Sequence, residues 1–178
     1  MEQKEDELTH LMDIARNFRV AMLVTLAEDG RIHGRPMTVA DIDDEAGALW
    51  FLTSKGGESS VEIAKDSRAV VTMQSSDVYV QWSGKASLVE DPLHVHEIWQ
   101  PTFLHWFPNG VNDPKLQLVR FDVEVAEFWD RKGTMKVRAL LRRARQALQG
   151  DDAAENPVGR ERSDSRHGRI HVQNHGER

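Results

Sequence analysis

The chain of 178 residues has no cysteine, a single tyrosine and no run of about 18 apolar residues. Without thiols there is no disulfide framework, no thiol nucleophile and no thiolate metal site, so any cofactor has to be held by hydrogen bonds, charge and packing. Without a long apolar run no membrane span is expected. The charged N-terminus lacks the apolar stretch of a secretory signal, so a soluble cytoplasmic protein is expected. A phosphate-binding P-loop, a dinucleotide glycine fingerprint and a nucleophile-triad motif are also missing, which leaves hydrolase and kinase readings without support. No side chain stands out as a catalytic acid or base, so the catalytic residue stays unassigned.

The net charge of −6 hides an asymmetry. Residues 1–130 hold 11 Lys and Arg against 23 Asp and Glu, net −12, whereas residues 131–178 hold 12 against 6, net +6. Binding to duplex nucleic acid rests on neutralising phosphates, so the acidic body is a poor partner for it and only the basic tail is a candidate. The length suits one domain with a full core and an appendage.

Residues 5–19 place Leu8, Leu11, Met12, Ala15 and Phe18 at helical spacing, which predicts an amphipathic first helix laid on the domain. Three strands follow within residues 21–57. The first is apolar enough to be buried on both faces and ends at Asp29-Gly30, the pair that tight hairpins favour. The second carries Arg35-Pro36-Met37-Thr38, and the third, Ala48 to Thr53, stops at Ser54-Lys55-Gly56-Gly57. Ser59 and Glu62 match a capping box and predict a short helix to about Lys65. Residues 68–74 and 78–89 read as two further strands, and Asp91-Pro92 as the start of a helix running towards Trp106, kinked or interrupted at Pro101. Residues 107–114 read as a loop, and from Gln117 the alternation of Val119, Phe121, Val123 and Val125 with charged residues predicts a sixth strand.

The fold class expected is therefore mainly β with α additions, a six-stranded antiparallel barrel with flanking helices. The barrel is expected to occupy residues 1–130. A basic amphipathic helix is expected over 131–150, and a polar, disordered tail over 151–178.

The glycine pair at 56 and 57 lies at a strand-to-helix turn, which either is an ordinary turn or exposes N–H groups to an anion. His94 and His96 point about 200° apart on a helix, so a metal cluster with His105 is disfavoured. Each of the five tryptophans either packs in the core or an interface or meets a planar cofactor.

Several separated pieces form one pattern: Arg35-Pro36-Met37, Leu49 to Thr53, Tyr79 to Gly84, Ile98 to Pro101, His105 to Pro108, Asp113 to Leu116 and Ala126 to Trp129. In that order they resemble the general-stress-protein branch of the pyridoxamine 5′-phosphate oxidase-like flavoproteins, over about residues 5 to 130. The resemblance implies a split β-barrel that homodimerises and binds FMN in two clefts between subunits. By position it implies that Arg35, Pro36, Met37 and Thr38 line one side of the flavin, and that Phe51, Leu52 and Thr53 meet the ring largely through backbone. Ser54, Lys55 and Ser59 would lie at the ribityl phosphate, where members commonly carry a lysine at the position of Ser59. Trp106, Gln81 and Trp82 would come from the other subunit.

Split barrels of this kind are reported with FMN, a deazaflavin or haem, and occupancy by none of them is the further alternative. The reading is an FMN-binding general-stress-type protein, an oxidoreductase on a small molecule. Its rival is a non-catalytic stress-response dimer with weak or lost cofactor binding, whose basic tail meets an anionic partner.

Overall fold

The computed structural model describes residues 11–130, 140–141 and 166–172. Residues 11–16 form the described part of the first helix, α1. The chain then runs through β1 (Val20–Leu26), β2 (Ile32–Asp43), β3 (Ala48–Ser54), α2 (Glu58–Lys65), β4 (Arg68–Gln74), β5 (Val78–Val89) and α3 (Pro92–Ile98). Two 3-10 turns, Pro101–His105 and Gly110–Asn112, lead into β6 (Leu116–Asp130).

Six strands close a barrel in which every pairing is antiparallel: β3, β2, β1, β4, β5 and β6 are joined in that order, and β6 pairs back onto β3. The sheet has no free edge along the closed part, so the ladder hydrogen bonds are satisfied internally. The β1–β2 connection turns at Gly30, whose φ of 83° is a left-handed conformation that favours glycine. Elsewhere glycine is needed for space. At the bulge between Ser83 and Gly84 a Cβ on Gly84 would lie 2.0 Å from the carbonyl oxygen of Asp122.

Inward-facing residues of all six strands make the main core, with Leu23, Leu49, Phe51, Val71, Val80, Trp82 and Phe121 at most 2% exposed. Leu11, Met12 and Ala15 of α1 join it, which is the packing their helical spacing predicts. A second cluster lies outside the barrel, where Trp50, Leu52 and Leu118 face Val95 and Ile98 of α3 and Phe103 and Phe107 of the following turn. Strand alternation explains the division: Leu49 and Phe51 point in, Trp50 and Leu52 point out.

Two expectations need correcting. The first strand, β1, is not buried on both faces, since Val20 and Met22 on its outer side are exposed. Ser59 does not cap α2: the N-cap is Gly57, with no side-chain cap, and Glu62 turns inward. At Pro101 the helix is interrupted rather than kinked: α3 ends at Ile98, because the residues before Pro101 adopt extended backbone (ψ 131° at Trp99). Asp91 does cap it, accepting from the backbone N–H of His94 at 3.0 Å.

Beyond the barrel, Leu140–Leu141 is a strand, β7, and Arg166–Val172 is a strand, β8, antiparallel to residues 125–130 of β6. That half of β6 extends past its pairing with β3, so it offers an edge that a strand can complete. These two segments are what the structure describes of the stretch where a basic helix and a polar tail are expected. The remaining residues of 131–178 lie outside the described residues.

Candidate functional site

A cleft of about 320 Å³ opens where β1, β2 and β3 meet the turn after α3. Pro36, Met37 and Thr38 of β2 form one wall, Leu52, Thr53 and Ser54 at the end of β3 form the floor, and Phe103, Trp106 and Phe107 form the opposite side, with Val20 at the rim. Its lining is mostly apolar with a few hydroxyl and backbone groups, the chemistry that suits a planar organic ligand. A wider groove of about 610 Å³ shares Val20, Thr38 and Trp106 with it and runs along Arg16, Arg19, Asp41 and Gln100.

Local sequence places these groups. Pro36 sits opposite Met22 on the exposed face of the β1–β2 pair, and Thr38 opposite Val20. The X-Pro steps at Gln100-Pro101 and Phe107-Pro108 break the helix into the tight turn that carries Phe103 and Trp106. Asp113 secures the end of that segment. Buried, it accepts from the backbone N–H groups of Lys115 and Asn109 and from the Asn109 side chain, and those bonds hold its carboxyl below the usual range despite burial.

Beside the cleft lies a charged cluster under α2. Glu62, only 7% exposed, accepts from Thr25 Oγ1 at 2.6 Å and from Arg35 Nη2 at 2.6 Å, and its other oxygen meets His33 Nδ1 at 2.7 Å. Burial pushes its carboxyl up, but the hydrogen bonds from Thr25, Arg35 and His33 outweigh that, so the net direction is down and the group is ionised at neutral pH. An ionised carboxylate only accepts, so Nδ1 of His33 carries the proton it shares. Arg35 Nη1 is buried and has no hydrogen-bond partner among the described residues.

Residues 6–154 match the family model described as pyridoxamine 5′-phosphate oxidase like. The chain belongs to the pyridoxamine 5′-phosphate oxidase-like family. Among solved structures, the general stress FMN/FAD binding protein from the phytopathogen Xanthomonas citri is 30% identical, with 79% of this chain and 98% of that chain covered and a TM-score of 0.60. The protein related to general stress protein 26 from Clostridium acetobutylicum superposes with a TM-score of 0.63 at 15% identity, covering 74% of this chain and 93% of that one. General Stress Protein 26 from Bacillus anthracis gives 0.60 at 18% identity, covering 70% and 92%. The last two speak for the fold alone. No curated protein matches the chain.

Within this oxidase-like fold, the residues singled out from the sequence divide into two groups. Pro36, Met37, Thr38, Leu52, Thr53, Ser54 and Trp106 come together in one cleft of a single chain. Ser59 is next to it, its hydroxyl 2.7 Å from that of Thr53. Phe51 has no exposed side chain, so only its backbone is available there. Arg35 is committed to Glu62, and the ammonium of Lys55 lies 3.1 Å from Glu90, at a separate hollow. Trp82 is enclosed in the barrel core, whereas Gln81 bonds Glu127 on the outer surface.

Phe103, Phe107 and Val20 were not anticipated as lining. The aromatic pair was legible only as a hydrophobic, proline-broken stretch, and Val20 only as the start of a strand. The His94 ring lies against Trp50 with centroids 4.3 Å apart and the planes tilted by 60°.

Proposed function

We propose that this chain is an FMN-binding, general-stress-type protein that works as a homodimer and acts as an oxidoreductase on a small molecule. The observation that carries the reading is the cleft itself, apolar walls from Pro36, Met37 and Leu52 closed by Trp106 over hydroxyl and backbone groups of Thr53 and Ser54. The Xanthomonas citri relative, named as FMN/FAD binding, supports it. Bound FMN would supply electron transfer, chemistry that no side chain here provides.

The chain's own residues would orient and enclose the group. Pro36, Met37 and Leu52 pack against a flat ring, Trp106 shields it from water, and the backbone at Leu52 and Thr53 meets its polar edge. The orphaned, buried Nη1 of Arg35 fits an anionic group at the other end. The adjoining groove would seat the second substrate.

A dimer is supported by the outer face of β1 and β2. Val20 (52% exposed), Met22 (39%) and Ile32 (73%) lie along the outer face of the β1–β2 hairpin, which runs from the cleft mouth at Val20 to the Leu26–Ile32 pair at the turn. Gln81 continues that face through Thr72, which is opposite both Met22 and Gln81.

Titration of the purified protein with FMN tests the reading. Uptake with the flavin's visible absorption and quenched fluorescence is expected. A colourless protein that fails to take up added FMN overturns it.

One observation favours the non-catalytic alternative: Ser59 stands where members commonly carry a phosphate-binding lysine, and Lys55 is paired with Glu90. A dimer that takes up FMN weakly or not at all would select that alternative.

A further inference from the structure

Of the thirteen residues tied to the cleft by the sequence, Arg35 is the one whose charge meets a buried carboxylate. Strand alternation puts His33, Arg35 and Met37 on the same face of β2, turned towards α2 and away from the outer row of Ile32, Gly34 and Pro36. Met37 reaches the cleft. On α2, Ser59 and Glu62 are three residues apart and share a face. Ser59 touches the cleft through Thr53. The two elements that carry the Arg35–Glu62 pair therefore both border the cleft, β2 through residues 36–38 and α2 through Ser59.

The pair is built rather than incidental. The Arg35 side chain is 19% exposed and that of Glu62 8%, and Glu62 is anchored from a third element by Thr25 of β1 and from β2 by His33. A guanidinium offers five N–H groups in a rigid plane. Here Nη2 is bound to the carboxylate, and Nη1 is buried with no partner among the described residues. A buried donor left unmade is costly, and a charged one more so, unless it meets an acceptor in the working state.

We propose that Glu62, with Thr25 and His33 behind it, is a positioning residue: it locks the Arg35 guanidinium so that Nη1 is presented to an anionic group at the inner end of the cleft, which for FMN is the phosphate. The inference rests on the flavin reading and goes beyond it, because it assigns a role to a residue that touches no cofactor. The fixed guanidinium stands in part for the lysine that Ser59 replaces. It also makes the site selective, since a ligand with the same ring and no phosphate gains nothing from Nη1.

The test compares FMN with riboflavin, which has the same ring system and lacks the phosphate, on the full chain and on Glu62→Gln. The unaltered protein is expected to bind FMN more tightly than riboflavin. Glu62→Gln removes the charge that orients Arg35, so FMN affinity falls about tenfold to a hundredfold, the range for a hydrogen bond to a charged group, while riboflavin affinity stays within about twofold. A merely structural role for Glu62 would lower both affinities together and leave their ratio unchanged. That result overturns the inference and leaves the flavin reading standing. Failure of the unaltered protein to bind either flavin overturns both.

Should Glu62→Gln fail to fold, Glu62→Asp carries the same comparison, because it keeps the charge but withdraws it by one methylene from Arg35. A reduced FMN-to-riboflavin ratio supports the role, and an unchanged ratio refutes it.

Discussion

Arg35 and Glu62, 27 residues apart in the chain, are joined through Nη2 and Oε2 at 2.6 Å, and this one bond ties strand β2 to helix α2 beside the cleft. Removing either side leaves a buried charge without its counterpart. Glu62→Ala is expected to cost about 3 kcal/mol of unfolding free energy, read by urea denaturation.

The same pair sets an acid limit. The Glu62 carboxyl is held below its ordinary value of 4.5, so its contribution is fully present above that value and is lost as pH falls through the lowered folded value. Stability measured by urea denaturation is expected to drop on going from about pH 5 towards pH 3. The drop should be smaller in Glu62→Gln, which has no carboxyl to protonate.

Gly84 tolerates no side chain. A Cβ there would stand 2.0 Å from the carbonyl oxygen of Asp122, a backbone atom that cannot rotate away. Gly84→Ala is expected to lose about 3 kcal/mol or more, or to fail to accumulate as folded protein. Thermal unfolding measures it.

Two tryptophans should respond in opposite ways. Trp82 is 1% exposed in the barrel core, so Trp82→Ala is expected to cost about 3 to 5 kcal/mol. Trp106 is 55% exposed at the cleft, so Trp106→Ala should change stability by less than about 0.5 kcal/mol. It should instead weaken flavin binding about three- to tenfold, as loss of an aromatic contact does. Paired thermal melts and FMN titrations separate the two effects.

The outer row of Val20, Met22 and Ile32 provides a test of assembly. Met22→Glu puts a charge in the middle of that row and is expected to convert a dimer to a monomer in light scattering. A dimer that persists would place the interface on another face.

Much of the barrel was legible because its signals are local. Alternation in Val119 to Val125 marks a strand with one buried face, Asp29-Gly30 marks a hairpin, and Asp91-Pro92 marks a helix start, each decided within a few residues. The cleft wall at Pro36 to Thr38 and its floor at Leu52 to Ser54 were legible through the order of several weak motifs. The aromatic side at Phe103 and Phe107 was not, because a proline-broken apolar stretch does not say which way it folds back.

The run Ser59-Ser60-Val61-Glu62 shows where sequence alone stops. By itself it determines that a helix begins there, since a hydroxyl and a carboxylate three residues apart can satisfy the first N–H groups. The tertiary structure decided what those side chains do. Thr53 claims the Ser59 hydroxyl, while Thr25, His33 and Arg35, which lie 27 to 37 residues away, bring a hydroxyl, an imidazole and a full positive charge to Glu62. Against those donors a single backbone N–H in solvent is the weaker partner for the carboxylate, so Gly57 caps α2 without a side-chain bond and Glu62 turns inward.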